Sequence, residues 1–316
     1  MVERADVEAA REAIGRRLHR TPTFPSATLS GLTRARVILK AELFQKTGSF
    51  KPRGVLNNLA ALSSEERERG VIGISAGNHA QALAWGAATE GLDALLVMWQ
   101  GASEAKIEAT RGYGAEIDLE SADPTEAFAR LDELVEQTGR TPVHPFDHPR
   151  TIAGQGTVGL ELLEDVPEAA VVVVPVGGGG LIAGCATAAT ALCPDCRVVG
   201  VEPESGDDTK RSLAAGERVV VPIGRTIADG QQVETPGRRT FPVVQARVSA
   251  ITTVSDADIV KAMRFAFERL KLVLEPSGAS ALAALLRGDV GAAGLRTGVI
   301  LSGGNVDVAR FCELTA

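Results

Sequence analysis

Four consecutive glycines, Gly177–Gly180, separate a run of valines from an Ala-rich segment in the stretch VVVVPVGGGGLIAG. The valines predict a buried strand, and the Ala-rich segment predicts a helix. Glycines at such a junction let successive backbone N–H groups point into one concavity, and the helix N-terminus adds positive potential. A tight turn needs only one or two glycines. The loop therefore predicts a binding site for a phosphate monoester.

A second chemical candidate is Lys51 in QKTGSFKPRG, where a loop is predicted to open into a helix. A lysine enclosed by Ser, Gly and Phe50 can be held away from water, which lowers the pKa of its amine and frees the amine to react with a carbonyl group. Taken alone, a lysine in a Gly/Ser loop is more often a solvated surface charge. The segment by itself therefore does not establish catalysis.

The glycine loop also allows a second class of function. Gly178, Gly180 and Ala183 satisfy the pattern G-x-G-x-x-A, and Glu202 follows about twenty residues later, as in dinucleotide-binding proteins. A nicotinamide-dependent dehydrogenase is thus an alternative, although the loop lies past the middle of the chain. A non-catalytic amino-acid-binding protein would use the loop but no reactive lysine. Visible absorbance separates these alternatives from an enzyme with an aldehyde cofactor on its lysine.

The elements that position these residues alternate along the chain. Apolar, β-branched runs predict strands, and Ala-rich stretches predict helices between them. The predicted strands are ARVILKAEL, VIGIS, DALLVMW, AEIDLE, AVVVVPV, RVVGVEP, VSAITTVS, LVLEP and TGVILSG. Because these runs are continuously apolar, they predict an α/β fold with a mainly parallel sheet covered by helices on both faces.

Composition and charge argue against nucleic acids and membranes as partners. The 316 residues carry a net charge of −7 with two Trp and one Tyr, so the basic stripe and exposed aromatics of a nucleic-acid binder are not expected. No apolar run is long enough to span a bilayer, and the charged N-terminus lacks the apolar block of a signal peptide. We therefore expect a cytoplasmic protein without membrane contact. Cys193 and Cys196 form an isolated C-x-x-C, for which reduced thiols are expected rather than a zinc site.

Several ordered motifs then point to one family. KAELFQKTGSFKPRG, SAGNHAQALAWGA, GQGTVGLE, VPVGGGGLIAG, GVEPESGDD, TIADG, LEPSGA and LSGGNVD follow one another between Thr21 and Asp307. Together they closely resemble the fold type II pyridoxal 5'-phosphate (PLP) enzymes of the threonine/serine dehydratase and serine racemase family. The resemblance implies a tryptophan synthase β-like α/β fold, with two open, twisted, mainly parallel sheets flanked by helices.

The resemblance also implies roles for individual residues. Lys51 matches the lysine that carries the cofactor, and Phe50 matches the residue packed against its ring. Gly177–Gly180 with Leu181 match the phosphate cradle. Asn78 matches the partner of the pyridine 3'-oxygen, and Ser302 matches the partner of the pyridine nitrogen, where a neutral group favours prompt β-elimination.

The substrate and a metal ion have candidate sites of their own. The substrate carboxylate is expected at the helix N-terminus formed by Ser75–His79 (Ser75, Ala76, Gly77, Asn78 and His79). Glu202 and Asp208, with the Gly206 carbonyl, match the divalent-cation site of metal-activated family members, and their oxygen ligands suit Mg²⁺, Ca²⁺ or Mn²⁺. Glu275 faces the site or only anchors a turn, and no chemistry is assigned to His144 or His148.

The implied activity is β-elimination of a small hydroxy-amino acid, giving a 2-oxo acid and ammonia. L-Threonine is the first candidate, followed by L-serine; 3-hydroxyaspartate, phenylserine and serine racemisation are alternatives. The family's racemases carry Ser where this chain has Ala76, so dehydration is expected over racemisation. The chain ends soon after LSGGNVD, so the regulatory domain of feedback-inhibited threonine deaminases, and control by isoleucine, are not expected.

The resemblance further predicts the domain organisation. Residues 70–147 are expected to form a small domain, and residues 1–69 and 148–316 a large PLP-binding domain, with the active site between them. A homodimer is expected from the family.

Overall fold

A computed structural model describes all 316 residues. The chain contains ten strands, which are β1 (Thr23–Pro25), β2 (Arg36–Ala41), β3 (Val71–Ile74), β4 (Ala94–Trp99), β5 (Glu116–Ser121), β6 (Thr141–Pro142), β7 (Val171–Pro175), β8 (Arg197–Pro203), β9 (Ala250–Val254) and β10 (Arg296–Leu301).

Fourteen α-helices lie between and around the strands. They are α1 (Arg4–Ile14), α2 (Ala27–Thr33), α3 (Pro52–Leu59), α4 (Ser64–Arg69), α5 (Asn78–Glu90), α6 (Glu104–Gly112), α7 (Pro124–Thr138), α8 (Pro149–Asp165), α9 (Gly180–Leu192), α10 (Asp208–Ala215), α11 (Thr240–Arg247), α12 (Asp256–Phe265), α13 (Pro276–Arg287) and α14 (Val308–Thr315). None of them is long and apolar enough to cross a lipid bilayer.

The strands form two sheets. The larger has the order β1-β2-β10-β7-β8-β9, in which only the β1–β2 pair is antiparallel. The smaller has the order β5-β4-β3-β6 and is entirely parallel. The predicted α/β fold with two mainly parallel sheets is confirmed. All four strands of the smaller sheet lie within residues 70–147, the range proposed for the small domain.

The valine run of β7 explains how the larger sheet is buried. Val171 and Val173 pack into one apolar core, and Val172 and Val174 pack into a second core on the opposite face. Since both faces of the strand are covered by helices, every position can be apolar. This central strand delivers the glycine loop to the carboxyl edge of the sheet, where ligands of open α/β sheets bind.

Most predicted strands agree with the structure, and one is wrong. The LVLEP segment forms no strand; it is an extended connection between a left-handed Lys271 and Pro276, the first residue of α13. Its Glu275 N–H donates to the Gly303 carbonyl at 3.3 Å, which ties the segment to the LSGGN loop without a ladder. The short strands β1 and β6 were not predicted, because two or three residues carry no periodicity.

A buried charge network holds the start of α3 in place. Arg53 is 2% exposed and donates from Nε and both terminal nitrogens to Glu42 and Glu161 at 2.7–2.9 Å. Lys40, fully buried on β2, donates to the same Glu161 at 2.7 Å. Burial alone would lower the pKa of Arg53, but the two carboxylates outweigh it and raise that pKa. The network fixes the helix that begins directly after Lys51.

Candidate active site

The lysine loop and the LSGGN loop are joined by backbone hydrogen bonds. Ser49 forms an antiparallel bridge with Gly303. The Phe50 N–H donates to the Ser302 carbonyl at 3.1 Å, and the Gly304 N–H donates to the Gly48 carbonyl at 3.0 Å. These bonds bring Phe50, Lys51 and Ser302 together, although the motifs lie about 250 residues apart. The structure therefore places the predicted cofactor-binding residues of both segments side by side.

The Lys51 amine is held in a low-dielectric position at the start of α3. It donates a hydrogen bond to the Pro145 carbonyl at 3.0 Å and lies 5.2 Å from the centre of the Phe50 ring. Burial lowers the pKa of Lys51 to about 8, against a smaller opposing effect of Glu275. A pKa near 8 gives a neutral amine fraction at pH 7 roughly two orders of magnitude above that of an ordinary lysine. Such an amine is suited to attack an aldehyde.

The glycine loop presents unused backbone donors. The N–H groups of Gly177–Gly180 donate no hydrogen bond within the chain. They lie at the N-terminal end of α9, which begins at Gly180. Gly179 has a φ of +91°, which disfavours a side chain there. A Cβ at Gly178 would lie 2.4 Å from the Phe146 ring. The loop thus fits an anionic phosphate, and its glycines are also required by close packing.

Asn78 is the first residue of α5 and is held from two sides. Its Nδ2 donates to Glu275 Oε1 at 2.7 Å, and its Oδ1 accepts from Asn305 Nδ2 at 2.7 Å. Asn305 also donates to the Thr47 carbonyl, which belongs to the lysine loop. Four sequence motifs therefore meet around one amide, and Glu275, left uncommitted by the sequence, faces this site.

The predicted carboxylate-binding segment is only partly free. Ser75 N–H donates to Val97 O at 3.2 Å, and Gly77 N–H donates to the Ser75 hydroxyl at 3.1 Å. The N–H groups of Ala76, Asn78 and His79 have no partner within the chain. These three remain available to an anionic group at the positive end of α5.

The His79 side chain points away from this N-terminus. It is 3% exposed, and its Nε2 lies 2.8 Å from the Val143 carbonyl, to which it donates. Burial, together with the nearby Lys51, lowers the pKa of His79 to about 3, so the ring stays neutral. Any contact between His79 and a substrate would therefore come from the backbone.

The predicted metal residues lie at the carboxyl end of β8: Glu202 is within the strand, and Gly206 and Asp208 follow it. Both oxygens of buried Glu202 accept backbone N–H groups, from Thr209 at 2.9 Å and Lys210 at 3.0 Å. Both oxygens of buried Asp208 have no hydrogen-bond partner. Burial, and next the charge of Glu202, raises the pKa of Asp208 to about 8, and burial raises the pKa of Glu202 to about 7. A cation between them would favour the charged form of both carboxyls, although no group of three or more His, Cys, Asp or Glu side chains in the chain is arranged to hold a metal ion.

One segment of the site was missed by sequence reasoning. Residues 143–148 follow β6 and contact both the lysine and the glycine loop: the Pro145 carbonyl accepts from Lys51, and the Phe146 ring packs against Gly178. His144 Nδ1 accepts the N–H groups of Phe146 and Asp147, and burial lowers the pKa of His144 to about 4. Its position along the chain was the one clue to its role, because ligands of open α/β sheets bind beyond the carboxyl ends of parallel strands and this segment follows such an end.

Comparison with known proteins decides the family. The model of the family described as "Pyridoxal-phosphate dependent enzyme" matches residues 14–303. The chain belongs to this family. An L-threo-3-hydroxyaspartate ammonia-lyase of Pseudomonas sp. is 43% identical over 98% of the chain and 97% of the relative. A serine racemase of Schizosaccharomyces pombe is 40% identical over 98% of this chain and 95% of that relative.

A solved structure agrees with these relatives. The crystal structure of a threonine deaminase from T.th. superposes with a TM-score of 0.92 at 44% identity, covering 96% of this chain and 99% of that one. The chain is thus a PLP-dependent enzyme of the fold type II dehydratase and racemase group, and its ammonia-lyase relatives support a lyase. The dinucleotide-binding alternative is wrong: the family is PLP-dependent, and Glu202, the acidic residue of that pattern, is fully buried with both oxygens bonded to backbone N–H groups.

Proposed function

We propose that this chain catalyses β-elimination of L-threonine or L-serine to a 2-oxo acid and ammonia, with PLP bound covalently through Lys51. The observation that carries the proposal is that contacts connect three groups: a desolvated lysine amine, a glycine loop with free N–H groups, and an amide at the start of α5. The PLP-dependent class follows from the family, and the assignment of roles to these residues is our own.

Each group would do a separate part of the work. The N–H groups of Gly177–Gly180 and Leu181 would hold the cofactor phosphate, Asn78 the ring oxygen, and Ser302 the ring nitrogen. When bound, PLP withdraws electrons from the substrate Cα. The Lys51 amine, once released to the substrate face, would take the Cα proton as general base. The free N–H groups at the start of α5 would orient the substrate carboxylate and so fix which bond is broken.

Ala76 favours elimination over racemisation. Racemisation needs a second proton donor opposite Lys51, and a methyl group has no proton to give. We expect wild-type protein to form little D-serine from L-serine, and Ala76→Ser to raise D-serine formation about 100-fold. Chiral chromatography of the products measures this, with Ala76→Gly as the control that adds no hydroxyl. Wild-type racemisation equal to dehydration would contradict the argument.

A second candidate substrate is 3-hydroxyaspartate. Lys106 on α6 pairs with Asp229, whose neighbour Gly230 packs beside Gly177 of the glycine loop. The Lys106 charge also acts on Glu275, which places Lys106 near the proposed active site, where a second substrate carboxylate would compete with Asp229 for it. The relative that is 43% identical is named for this substrate.

A substrate panel tests the proposal and separates the two candidates. Purified protein saturated with PLP is assayed for 2-oxo acid with L-threonine, L-serine and L-threo-3-hydroxyaspartate. The largest kcat/KM is expected with L-threonine. A much larger value with 3-hydroxyaspartate would select the second candidate, and no 2-oxo acid from any of the three would overturn the proposed reaction.

We also propose a divalent cation bound by Glu202, Asp208 and the Gly206 carbonyl. The pKa of both carboxyls is raised, but Glu202 accepts two backbone N–H groups whereas neither oxygen of Asp208 has a partner, so Asp208 is the more costly of the two to hold charged without a cation. The pKa of Asp208 is about 4 in the unfolded chain and about 8 in the folded protein, so its ionisation destabilises the fold increasingly as pH rises from about 4 to about 8.

This proposal predicts opposite behaviour with and without a cation. In chelator at pH 8, Asp208→Asn should melt about 5 °C above wild type, and the gap should shrink toward pH 5. Mg²⁺ should raise the melting temperature of wild type and leave that of Asp208→Asn unchanged. Equal Mg²⁺ effects on both proteins would argue against this site.

We further propose that the protein is a cytoplasmic homodimer. Exposed apolar side chains support an interface near the lysine loop: Phe44 is 48% exposed and Val273 is 44% exposed, and the neighbouring Leu43 and the Val273 backbone both lie against Gly304. Sedimentation equilibrium should give twice the chain mass; a monomer at micromolar concentration would contradict this.

A further inference from the structure

Glu275 belongs to the site, yet neither the family match nor the proposed reaction gives it a role. It is 5% exposed, on the extended segment just before α13. Its carboxylate is wedged against the LSGGN loop, since a Cβ at Gly303 would lie 2.1 Å from Glu275 Oε1. That same oxygen accepts the hydrogen bond from Asn78 Nδ2 at 2.7 Å. One carboxylate oxygen therefore packs against the LSGGN loop and accepts the Asn78 hydrogen bond at the same time.

The neighbours of Asn78 leave its amide only one orientation. Asn305 uses both of its N–H groups, one on Asn78 Oδ1 and one on the Thr47 carbonyl, each at 2.7 Å. If the Asn78 amide turned over, its oxygen would face the Glu275 carboxylate and its nitrogen would face the Asn305 nitrogen. Both contacts would then lack a hydrogen bond. One N–H of Asn78 Nδ2 remains free, and it is the only polar hydrogen of that side chain left for a ligand.

We infer that Glu275 is a positioning residue: with Asn305 it fixes the Asn78 amide so that an N–H, rather than a carbonyl, is presented to the ring oxygen of the cofactor. The inference rests on the proposed cofactor contact of Asn78. In this inference Glu275 acts through its hydrogen bond to the Asn78 amide. Its negative charge also polarises the same N–H groups, because hydrogen bonds to ionised acceptors are stronger than neutral ones.

The charges around Glu275 come from several elements. Lys51 lies at the start of α3, Lys106 on α6, and Asp229 in the turn of residues 229–231. Burial, and next the charge of Asp229, raises the pKa of Glu275 to about 7. The carboxylate thus changes charge near neutral pH, so the spectrum of the bound cofactor should depend on pH through this residue.

Two substitutions separate orientation from charge. Glu275→Gln keeps an acceptor oxygen for Asn78, since Asn305 still holds the other end of the amide, but it removes the charge. Glu275→Leu removes both. The exposed Glu268→Gln is the matched control. The measurements are the PLP dissociation constant of the apoprotein, the pH titration of the bound-cofactor absorbance, and apoprotein melting.

Glu275→Leu should weaken PLP binding about tenfold, the loss expected for a misoriented hydrogen bond to a charged group. Glu275→Gln should bind PLP within about threefold of wild type but lose the absorbance change near pH 7. Asn305→Ala should resemble Glu275→Leu in PLP affinity. The inference would be overturned if Glu275→Leu bound PLP with wild-type affinity and showed the wild-type absorbance titration. It would also be overturned if the only change in Glu275→Leu were in the melting temperature of the apoprotein. If no variant, wild type included, binds PLP, the proposed function itself fails.

Discussion

Replacing Lys51 with alanine is expected to lower turnover about 10⁴-fold and to remove the visible absorbance of the PLP-saturated protein. The reason is that one amine would both hold the cofactor and take the Cα proton, so both tasks are lost together. Alanine is compatible with the backbone at this position, because Lys51 has helical φ and ψ and its side chain makes no capping hydrogen bond to α3. The loss should therefore appear in kcat without loss of fold.

Two controls keep this result interpretable. Lys46→Ala removes an exposed lysine from the same loop and should leave activity and absorbance unchanged. Lys51→Arg keeps a positive charge but provides no nucleophilic amine, so it should resemble Lys51→Ala. Turnover is followed as 2-oxo acid formed from L-threonine. A Lys51→Ala protein with full turnover would remove the basis of the proposed mechanism.

Arg53→Met is expected to cost about 3–5 kcal/mol of unfolding free energy, the largest stability effect predicted here. The substitution leaves Glu42, which is fully buried, without its cationic partner, while Glu161 keeps only Lys40. An uncompensated buried charge is costly even where an intact buried pair is not strongly stabilising. Denaturant unfolding of the apoprotein measures the loss without a contribution from cofactor binding.

The matched control for Arg53 is an arginine in a solvated ion pair. Arg310 pairs with Glu313 on α14 with its side chain 43% exposed, and Arg310→Met should cost less than about 1 kcal/mol. Arg53→Lys should fall between the two, since one ammonium cannot bridge both carboxylates. If Arg53→Met cost no more than Arg310→Met, the network would not be holding α3.

Local pattern was sufficient for the elements that carry the glycine loop. The valine run of β7 and the Ala-rich α9 were predicted because burial on both faces requires continuous apolar residues, and a glycine-rich strand-to-helix junction has few other uses. The pairing of the Lys51 and Ser302 segments followed from resemblance alone, because no local signal joins residues that far apart.

Side-chain direction is what the sequence could not supply. His79 and Asn78 are adjacent, yet the first hydrogen-bonds Val143 and the second Glu275, a difference set by contacts with distant segments of the chain. The LVLEP segment is apolar at its first three positions, but it lies between a left-handed Lys271 and the start of α13, and no neighbouring strand pairs with it. The Arg53 network joins residues up to 121 positions apart in the sequence, so no local sequence pattern indicated it.

The covalent link between Lys51 and PLP is tested most directly by chemical trapping. The PLP-saturated protein is reduced with borohydride, digested, and mapped by mass spectrometry. The account predicts a reduced cofactor on the peptide that contains Lys51, at one equivalent per chain, and no adduct on peptides that contain Lys40, Lys46 or Lys106. An unmodified Lys51 peptide in fully active protein would contradict it.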